Sequence, residues 1–341
     1  MINNVYRLVS PRLIEKTIVD EQITNQTVVV RPSYLSICHA DQRYYNGLRD
    51  PEVLNKKLPM ALIHEGVGVV VKDYSGNFVP GDRVSIVPNT PFEVKDNIQE
   101  NYLASSKFRS SGYDGLMQEY VFARNDRLVS IPDNIPSRVA AFIEMVSVSM
   151  HSINRLGRVL AKNQDSFGIW GDGNLGYITA VLLKSLYPDS KLFIFGKNER
   201  KLDMFSFADA TYTIDSIPEK LHISNAFEAA GGKGSQYAID QITQLVDPQG
   251  SVALMGVSEN PIEVNTRKLL EKGLTVSATS RSGVSDFKDV INLLTKNEHV
   301  IAQLEILIGV EKSIHKLSDI QPFFEDDLSN LWGKSIMKWD I

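Results

Sequence analysis

The chain has 341 residues, enough for about two domains, and its 43% hydrophobic and 23% charged residues are ordinary for a globular protein. A formal net charge of -5 argues against a general nucleic-acid-binding protein, which normally carries a basic excess. A single cysteine excludes an intrachain disulfide, and there is neither a signal-peptide pattern nor an apolar run near the roughly 18 residues that span a membrane, so we expect a cytoplasmic protein.

Short strands separated by turns are predicted over roughly the first 130 residues. Residues 27–32 form a β-branched run stopped by proline, and residues 66–71 form a second run. A tight turn at 80–83 precedes a strand at 84–87. Residues 88–113 are polar and irregular, and a loop of this length is usually functional or disordered.

The pattern changes near residue 137, where longer helical segments begin to alternate with short apolar strands at 166–170, 191–195 and 251–255. This alternation is typical of a parallel sheet covered by helices on both faces. After about residue 290 the repeat stops, and the tail is a candidate to return to the first domain.

A glycine motif follows the strand predicted at 166–170. Gly171, Gly173 and Gly176 have the spacing G-x-G-x-x-G, with Asn174 and Leu175 between the last two, and an apolar-periodic helix follows. The first glycine permits a tight turn, the second lets the backbone approach a pyrophosphate, and the third lets helix pack on strand. The motif alone is weak, and a purely structural turn is the alternative, but the strand-turn-helix context favours dinucleotide binding.

The end of the next predicted strand indicates which dinucleotide binds. NAD sites usually place an acid there for the ribose 2′-hydroxyl. Here Gly196 offers no carboxylate, while Lys197 and Arg200 offer cations for a 2′-phosphate. We therefore predict NADP(H). A solvated charged loop is the alternative, and Glu199 is a counter-signal.

Potential metal ligands are concentrated in the first domain. Cys38 and His39 are adjacent, His64 and Glu65 follow, and Glu144 stands alone in an apolar stretch. A thiolate, an imidazole and carboxylates are the ligands of a catalytic zinc that keeps one position open. Each residue has a structural alternative as a buried small side chain, a core histidine or an ordinary salt-bridge partner.

With both patterns in view, the chain resembles the zinc-dependent medium-chain dehydrogenase/reductase family over nearly its whole length. The motifs that carry the resemblance are Cys38-His39-Ala40-Asp41, Ile63-His64-Glu65-Gly66, Pro80-Gly81-Asp82-Arg83-Val84, Asp114-Gly115-Leu116-Met117-Gln118-Glu119-Tyr120 and Phe227-Glu228-Ala229-Ala230-Gly231. The resemblance implies an α/β protein with a Rossmann doubly wound parallel-sheet domain and a GroES-like β-rich catalytic domain. We expect the Rossmann domain over 141–291 and the catalytic domain over 1–140 and 292–341.

The resemblance also implies roles for the potential ligands. Cys38 and His64 are implied as zinc ligands, Glu65 as a ligand or near-ligand, and Glu144 as the residue that binds the zinc or its water. Asp41 is implied as the residue that orients a ligand.

Two departures from the family pattern change these expectations. The usual four-cysteine lobe for a structural zinc is excluded, because Cys38 is the only cysteine, so residues 88–113 must be ordered by packing. Ala40 replaces the hydroxyl residue that often passes the proton outward. His39, Glu65, Glu144 or a zinc-bound water would then have to transfer the proton.

Within the family, the segment 41–47 resembles the polyol dehydrogenases. The match is closer to bacterial ribulose-5-phosphate reductases that supply precursors of teichoic acid or capsule. The segments that carry this closer match are 36–38, 40–45, 108–112, 169–178, 332–334 and 338–339. That similarity implies zinc-dependent reduction of D-ribulose 5-phosphate by NADPH to D-ribitol 5-phosphate. A sugar phosphate needs a cation for its dianion, and the candidate substrate residues are Arg43, Tyr44 and Arg109. Arg49 and Lys107 also lie near the proposed zinc loop or in the long loop.

Other functions remain open on the sequence alone. They are a dehydrogenase of unphosphorylated polyols with NAD, a non-catalytic NADP-binding protein and a zinc-free quinone reductase. The family resemblance implies a homodimer or homotetramer, and the pathway implies coupling to a cytidylyltransferase that makes CDP-ribitol. No nucleic-acid or membrane partner is expected.

Overall fold

The structure is a computed structural model that describes residues 1–160, 164–330 and 332–341. The chain divides into two compact units: the first joins Met1–Ser147 to Ser282–Ile341, and the second is Val148–Arg281. These limits lie within about ten residues of the predicted domain boundaries. In the described parts of the chain, no helix has both the length and the apolar character needed to cross a membrane.

The strands, in chain order, are β1 (Ile2–Ser10), β2 (Leu13–Asp20), β3 (Thr27–Ser36), β4 (Met60–Ala61), β5 (Glu65–Asp73), β6 (Arg83–Ile86), β7 (Asn89–Thr90), β8 (Lys107–Phe108), β9 (Val121–Arg124), β10 (Leu128–Ser130), β11 (Ser166–Trp170), β12 (Lys191–Gly196), β13 (Ala210–Thr213), β14 (Ile223–Glu228), β15 (Val246–Leu254), β16 (Thr275–Ala278), β17 (Ile308–Ile314) and β18 (Lys334–Trp339). The α-helices are α1 (His39–Tyr45), α2 (Pro51–Lys57), α3 (Ser137–Ala140), α4 (Ile143–Gly157), α5 (Asn174–Leu186), α6 (Glu199–Leu202), α7 (Gly234–Leu245), α8 (Thr266–Lys272), α9 (Val284–Lys296), α10 (Glu298–Glu305) and α11 (Leu317–Ser329).

The first unit is built around two sheets. One has the strand order β2-β1-β4, and the other has the order β10-β6-β5-β3-β18-β17, with β9 paired to β3. The β-branched runs predicted from the sequence supply the buried faces, for example Val28 and Val30 on β3 and Val70 on β5. Because successive strand residues point to opposite faces, Val28 and Val30 share one face of β3.

The C-terminal tail lies in the first unit. Strand β18 runs antiparallel to β3, with Ile336 opposite Ser36 and Met337 opposite Leu35. On its other side β18 pairs with β17 in parallel. The last strand of the chain therefore lies beside the strand that leads to Cys38, and it starts at Lys334.

The segment 88–113 contains the short β7–β8 pair and is ordered around Glu100. The backbone carbonyl of Glu100 accepts from the Asn89 amide at 3.2 Å and from the Ser106 hydroxyl at 2.7 Å. Its carboxylate accepts from Arg127 at 3.1 Å. These hydrogen bonds help to order the segment, and the side chains of Leu103 and Phe108 are buried in it.

The second unit is a parallel sheet with the strand order β13-β12-β11-β14-β15-β16. All five residues of β11 are buried, as expected for a central strand covered on both faces. The chain adds strands first on one side of β11, as β12 and β13, and then on the other side, as β14 to β16. This is the strand order of a doubly wound dinucleotide-binding fold. The predicted fold class is confirmed in both units.

Candidate metal centre and cofactor site

Three of the potential ligands meet where two elements of the first unit begin. Cys38 directly precedes α1, His64 directly precedes β5, and Glu65 is the first residue of β5. One ligand atom from each lies within 4.8 Å of the others. Strand pairing explains the meeting, because Ser36, two residues before Cys38, lies opposite Glu65 in the β3–β5 ladder.

Asp41 connects the three chain segments around these ligands. Its Oδ2 accepts from the backbone N–H of Cys38 at 3.0 Å. Its Oδ1 accepts from the backbone N–H of Ile63 at 2.9 Å and from the hydroxyl of Ser110 at 2.7 Å. The same oxygen lies 3.7 Å from His64 Nδ1. Asp41 therefore fixes both the ligand loops and the imidazole orientation.

Two of the residues bonded to Asp41 have strained backbone. Ile63 has φ 70° and Ser110 has φ 59°, in the left-handed region that non-glycine residues rarely adopt. Such residues persist only where the surroundings over-determine them, and they concentrate at functional sites. The N–H of Ile63 and the hydroxyl of Ser110 both donate to one carboxylate oxygen, which supplies that restraint.

The carboxylate of Asp41 and the imidazolium of His64 stabilise each other's charged form, although both groups are buried. Burial opposes both charges, but the nearby imidazolium keeps the pKa of Asp41 below its usual value. The carboxylate likewise holds the pKa of His64 well above its usual value. An imidazole that faces a carboxylate through one nitrogen binds metal through the other, so Nε2 of His64 is the atom available to a metal.

Glu144 lies on the other side of His64, in the first turn of α4. Its Oε2 is 4.0 Å from His64 Nε2. Burial raises the pKa of Glu144 to about 7, against the opposing charge of His64. A cation at this position would favour the ionised carboxylate.

Lys334 is a functional candidate to which the sequence analysis assigned no role. The side chain is 1% exposed, and its ammonium donates to Glu65 Oε1 at 2.8 Å and to the carbonyl of Ile37 at 2.8 Å. Glu65 Oε2 also lies 2.8 Å from the ammonium, although only the bond to Oε1 has hydrogen-bond geometry. Burial lowers the pKa of Lys334, but the charge of Glu65 outweighs it and the pKa is raised.

The residues present fit a zinc ion. Cys38, His64 and Glu65 supply a sulfur, an imidazole nitrogen and a carboxylate oxygen, the donor types that zinc accepts. Burial raises the pKa of the Cys38 thiol, so a cation is needed to hold it as the thiolate. His39 is exposed on α1 and lies outside this group.

The predicted substrate residues occupy different environments. Arg43 and Tyr44 lie in the last turn of α1, and Tyr44 is buried. Arg109 is also buried, and its terminal nitrogens donate to the carbonyls of Asp114 at 3.2 Å and Phe122 at 2.9 Å. Since these donors are engaged by backbone, the substrate role of Arg109 has no geometric support.

The glycine motif of the second unit has the geometry that a dinucleotide requires. Gly171 has φ 143°, and a Cβ there would lie 2.7 Å from the backbone of Ala229. A Cβ on Gly176 would lie 2.0 Å from the carbonyl oxygen of Gly171. Gly173 is the N-cap of α5, and Asn174 and Leu175 are the first two residues of that helix. Nothing lies within 4 Å of a Cβ on Gly173, so this side of the turn, at the helix N-terminus, is open. This open side fits a pyrophosphate.

The loop after β12 is held by Asp172. Its Oδ2 accepts from the backbone N–H groups of Lys197 at 2.7 Å and Asn198 at 2.8 Å. A Cβ on Gly196 would lie 2.6 Å from the Asp172 side chain, so glycine is needed there. The ammonium of Lys197 lies 5.8 Å from the ring centroid of Tyr237, and Arg200 is exposed in α6.

Glu228 organises the turn that follows β14. Its Oε1 accepts from the N–H groups of Ala230 at 3.0 Å and Gly231 at 3.1 Å, and its Oε2 accepts from Gly256 N–H at 2.9 Å. Because β14 is the neighbour of β11, this turn lies at the carboxyl edge of the sheet, where the glycine motif also lies.

Comparison with known proteins agrees with this description. Residues 24–133 match the alcohol dehydrogenase GroES-like domain. The chain is 52% identical to a ribulose-5-phosphate reductase of Bacillus spizizenii over 341 residues, which cover 100% of both chains. It is 53% identical to ribulose-5-phosphate reductase 1 of Staphylococcus aureus over 339 residues, which cover 99% of both chains. The crystal structure of S. aureus TarJ in complex with NADPH superposes with a TM-score of 0.90 at 48% identity, covering 100% of both chains.

A GroES-like unit with a cysteine, histidine and glutamate centre, together with a doubly wound dinucleotide-binding unit, defines the zinc-type medium-chain dehydrogenases/reductases. Within that class, the chain belongs to the family of ribulose-5-phosphate reductases. The resemblance found in the sequence is confirmed.

Proposed function

We propose that this protein reduces D-ribulose 5-phosphate to D-ribitol 5-phosphate with NADPH, using one catalytic zinc. The proposal is supported by two observations together: Cys38, His64 and Glu65 lie close enough to hold a metal, and the identity with named ribulose-5-phosphate reductases exceeds 50% over the full length. The reaction adds a hydride and a proton to the C2 carbonyl and leaves NADP⁺ and a secondary alcohol.

The residues divide this work between the two units. A bound zinc would polarise the substrate carbonyl as a Lewis acid, and bound NADPH would supply the hydride. Cys38 and His64 would hold the metal, with Glu65 and Glu144 as the carboxylates beside it. The open turn at Gly173 would take the pyrophosphate, and Lys197 and Arg200 would attract the 2′-phosphate.

Glu144 is the residue to which we assign the proton, since Ala40 has no hydroxyl to relay it. Burial raises the pKa of Glu65, but its carboxylate is bonded to the Lys334 ammonium, which opposes that rise and makes Glu65 less suited to donate a proton. The carboxyl of Glu144 has no such lysine partner among the described residues, and burial raises its pKa to about 7. Burial favours the protonated carboxyl and a bound cation would favour the ionised one, so Glu144 is suited both to take up a proton and to release it to the new alkoxide.

The product suits a following step that activates it with a cytidine nucleotide, so a cytidylyltransferase is the partner enzyme that we propose. A homodimer or homotetramer and a cytoplasmic location stay predictions.

The decisive experiment follows NADPH oxidation by the zinc-loaded protein with D-ribulose 5-phosphate. We expect oxidation that depends on substrate, that stops on chelation and that returns with zinc. NADH and unphosphorylated D-ribulose should both be poorer reactants. Equal rates on the two ketoses, or a preference for NAD on a polyol, would instead support the broader polyol dehydrogenase. Activity that survives in the Cys38→Ser variant would contradict the zinc mechanism.

A further inference from the structure

Two short helices of the first unit bring three cationic side chains together around one tyrosine. The ammonium of Lys57, the last residue of α2, donates to the hydroxyl of Tyr44 at 3.0 Å and to the hydroxyl of Ser111 at 3.0 Å. The guanidinium carbon of Arg49 lies 4.9 Å from the Tyr44 ring centroid. Arg43 precedes Tyr44 in the last turn of α1.

The turn between the helices produces this arrangement. After α1 ends, the N–H groups of Gly47 and Leu48 return to the carbonyls of Tyr44 at 3.0 Å and Arg43 at 2.8 Å. Gly47 has φ 68°, and this left-handed conformation turns the chain back so that Arg49 reaches the tyrosine ring.

The cationic side chains of the cluster lie close enough to affect one another. Burial lowers the pKa of Arg43, and the charge of Arg49 lowers it further, which shows that the two guanidinium groups act on each other. Across residues 1–160, 164–330 and 332–341, no carboxylate lies within 4.0 Å of the Lys57 ammonium. The charge of Lys57 is therefore offset by no carboxylate of the described residues, and a bound anion would stabilise it.

The hydroxyl groups add donors of the same kind. An ammonium has donors and no acceptor, so the hydroxyl oxygens of Tyr44 and Ser111 both accept from Lys57. Each hydroxyl therefore keeps its own hydrogen, and in the described parts of the chain neither hydrogen has an acceptor. A ligand with several acceptor oxygens and negative charge matches this set of groups.

The cluster is also connected to the metal centre. Ser111 directly follows Ser110, whose hydroxyl bonds Asp41, the carboxylate beside His64. Helix α1, which carries Arg43 and Tyr44, begins immediately after Cys38. In D-ribulose 5-phosphate, C2 carries the carbonyl and C5 carries the phosphate, so the two groups need neighbouring but separate sites.

From this geometry we infer that Lys57, together with Arg43 and Arg49, forms the subsite for the substrate phosphate. Lys57 is the central residue, since it contacts both hydroxyl groups. Tyr44 and Ser111 position its ammonium and donate to phosphate oxygens. The inference rests on the proposed function and explains how the enzyme distinguishes a ketose phosphate from the free ketose.

The test compares Lys57→Met with Lys56→Met, because Lys56 is the exposed neighbour on α2 and its loss changes the net charge equally. Three quantities are measured: the KM for D-ribulose 5-phosphate, the kcat/KM ratio of that substrate to D-ribulose, and the shift of Tm by inorganic phosphate. For Lys57→Met we expect a KM raised about tenfold or more, a ratio lowered by a similar factor, and loss of the phosphate shift. Lys57→Arg should recover part of each.

The control Lys56→Met should match the wild type in all three quantities. A Lys57→Met variant that keeps the wild-type KM and phosphate shift would overturn the inference. So would an equal fall on both ketoses with phosphate binding intact, because that result indicates a structural role. If the wild type does not reduce D-ribulose 5-phosphate, the proposed function fails, and the Tm shift by phosphate still decides whether Lys57 binds an anion.

Discussion

Lys334 is a buried cation whose contribution to the stability depends on its ion pair with Glu65. Replacing it by methionine keeps the volume but leaves a buried carboxylate without its lysine partner. Removing one partner of a buried ion pair costs about 3–5 kcal/mol. We therefore expect Lys334→Met to lower the free energy of unfolding by about that amount, measured by urea denaturation of the metal-free protein.

The control for this variant is Lys338→Met, on the same strand. Lys338 pairs with Asp340 at 3.2 Å in an exposed position, where an ion pair contributes about 0–1 kcal/mol. Similar losses in the two variants would mean that the Glu65 pair has no special energetic role.

Asp41 offers a second test at the residue scale, through metal affinity. Asparagine retains one acceptor oxygen but directs its amide hydrogens at the N–H of Cys38 or of Ile63, and it removes the charge beside His64. Losing such an orienting carboxylate typically costs about 10–100-fold in metal affinity. Zinc competition with a chromophoric chelator should show this loss for Asp41→Asn, and an unchanged affinity would remove Asp41 from the metal centre.

At this scale the sequence predicted part of the site. Cys38, His64 and Glu65 lie in two short motifs, so their identity could be read from local pattern, and the structure places their ligand atoms together. Their role as ligands stays a prediction. Lys334 could not be found this way, because its partner is 269 residues distant along the chain and no local pattern encodes that pairing.

Among the elements, the glycine turn before α5 allows two substitutions that distinguish an effect on cofactor binding from an effect on folding. Gly173→Ala adds a Cβ that meets nothing within 4 Å, so we expect an unchanged Tm without cofactor but weaker NADPH binding, since the methyl occupies the open side of the turn. Gly176→Ala meets the carbonyl oxygen of Gly171 at 2.0 Å, and we expect it to lower the Tm even without cofactor. Calorimetric titration with NADPH and thermal unfolding of both variants check this. Equal behaviour of the two variants would contradict the assignment.

The turn after β5 carries a pH-dependent part of the stability. Asp73 accepts hydrogen bonds from Ser75, Asn77 and Phe78, and these outweigh partial burial to lower its pKa. A lowered pKa contributes stability above the unfolded value of about 3.9, and this contribution disappears as the pH falls through the folded value.

Asp73→Asn should therefore destabilise the protein by about 1 kcal/mol at neutral pH, and the difference from wild type should shrink below about pH 3.9. Denaturation at pH 7 and pH 3 measures it, with the exposed Asp96→Asn as control. A difference that stays constant with pH would assign the effect to shape rather than charge.

For the whole molecule, the two units separate metal chemistry from cofactor binding. The candidate metal ligands belong to the first unit, and the glycine motif belongs to the second. We expect chelation to abolish reduction while leaving the Kd for NADPH within about twofold, because none of the candidate ligands among the described residues lies in the second unit. One zinc per chain, and none in Cys38→Ser, should accompany this result in elemental analysis. Parallel loss of NADPH affinity on chelation would contradict the separation.

Strand-helix alternation predicted the second unit because all strands of its parallel sheet come from one continuous stretch of the sequence. The first unit was harder to predict, since its principal sheet takes strands from both ends of the chain. The pairing of β18 with β3 joins residues about 300 positions apart, and no short-range pattern specifies it.

The position of β18 also has a consequence for biosynthesis. Domains begin to fold during synthesis, N-terminal segments first. The segments that carry Cys38 and Glu65 leave the ribosome early, whereas the Lys334 ammonium that pairs with Glu65 is 269 residues further along the chain. A nascent chain would therefore carry Cys38, His64 and Glu65 without the neighbouring strand and without the cation that pairs with Glu65 until residues 334–339 have been synthesised.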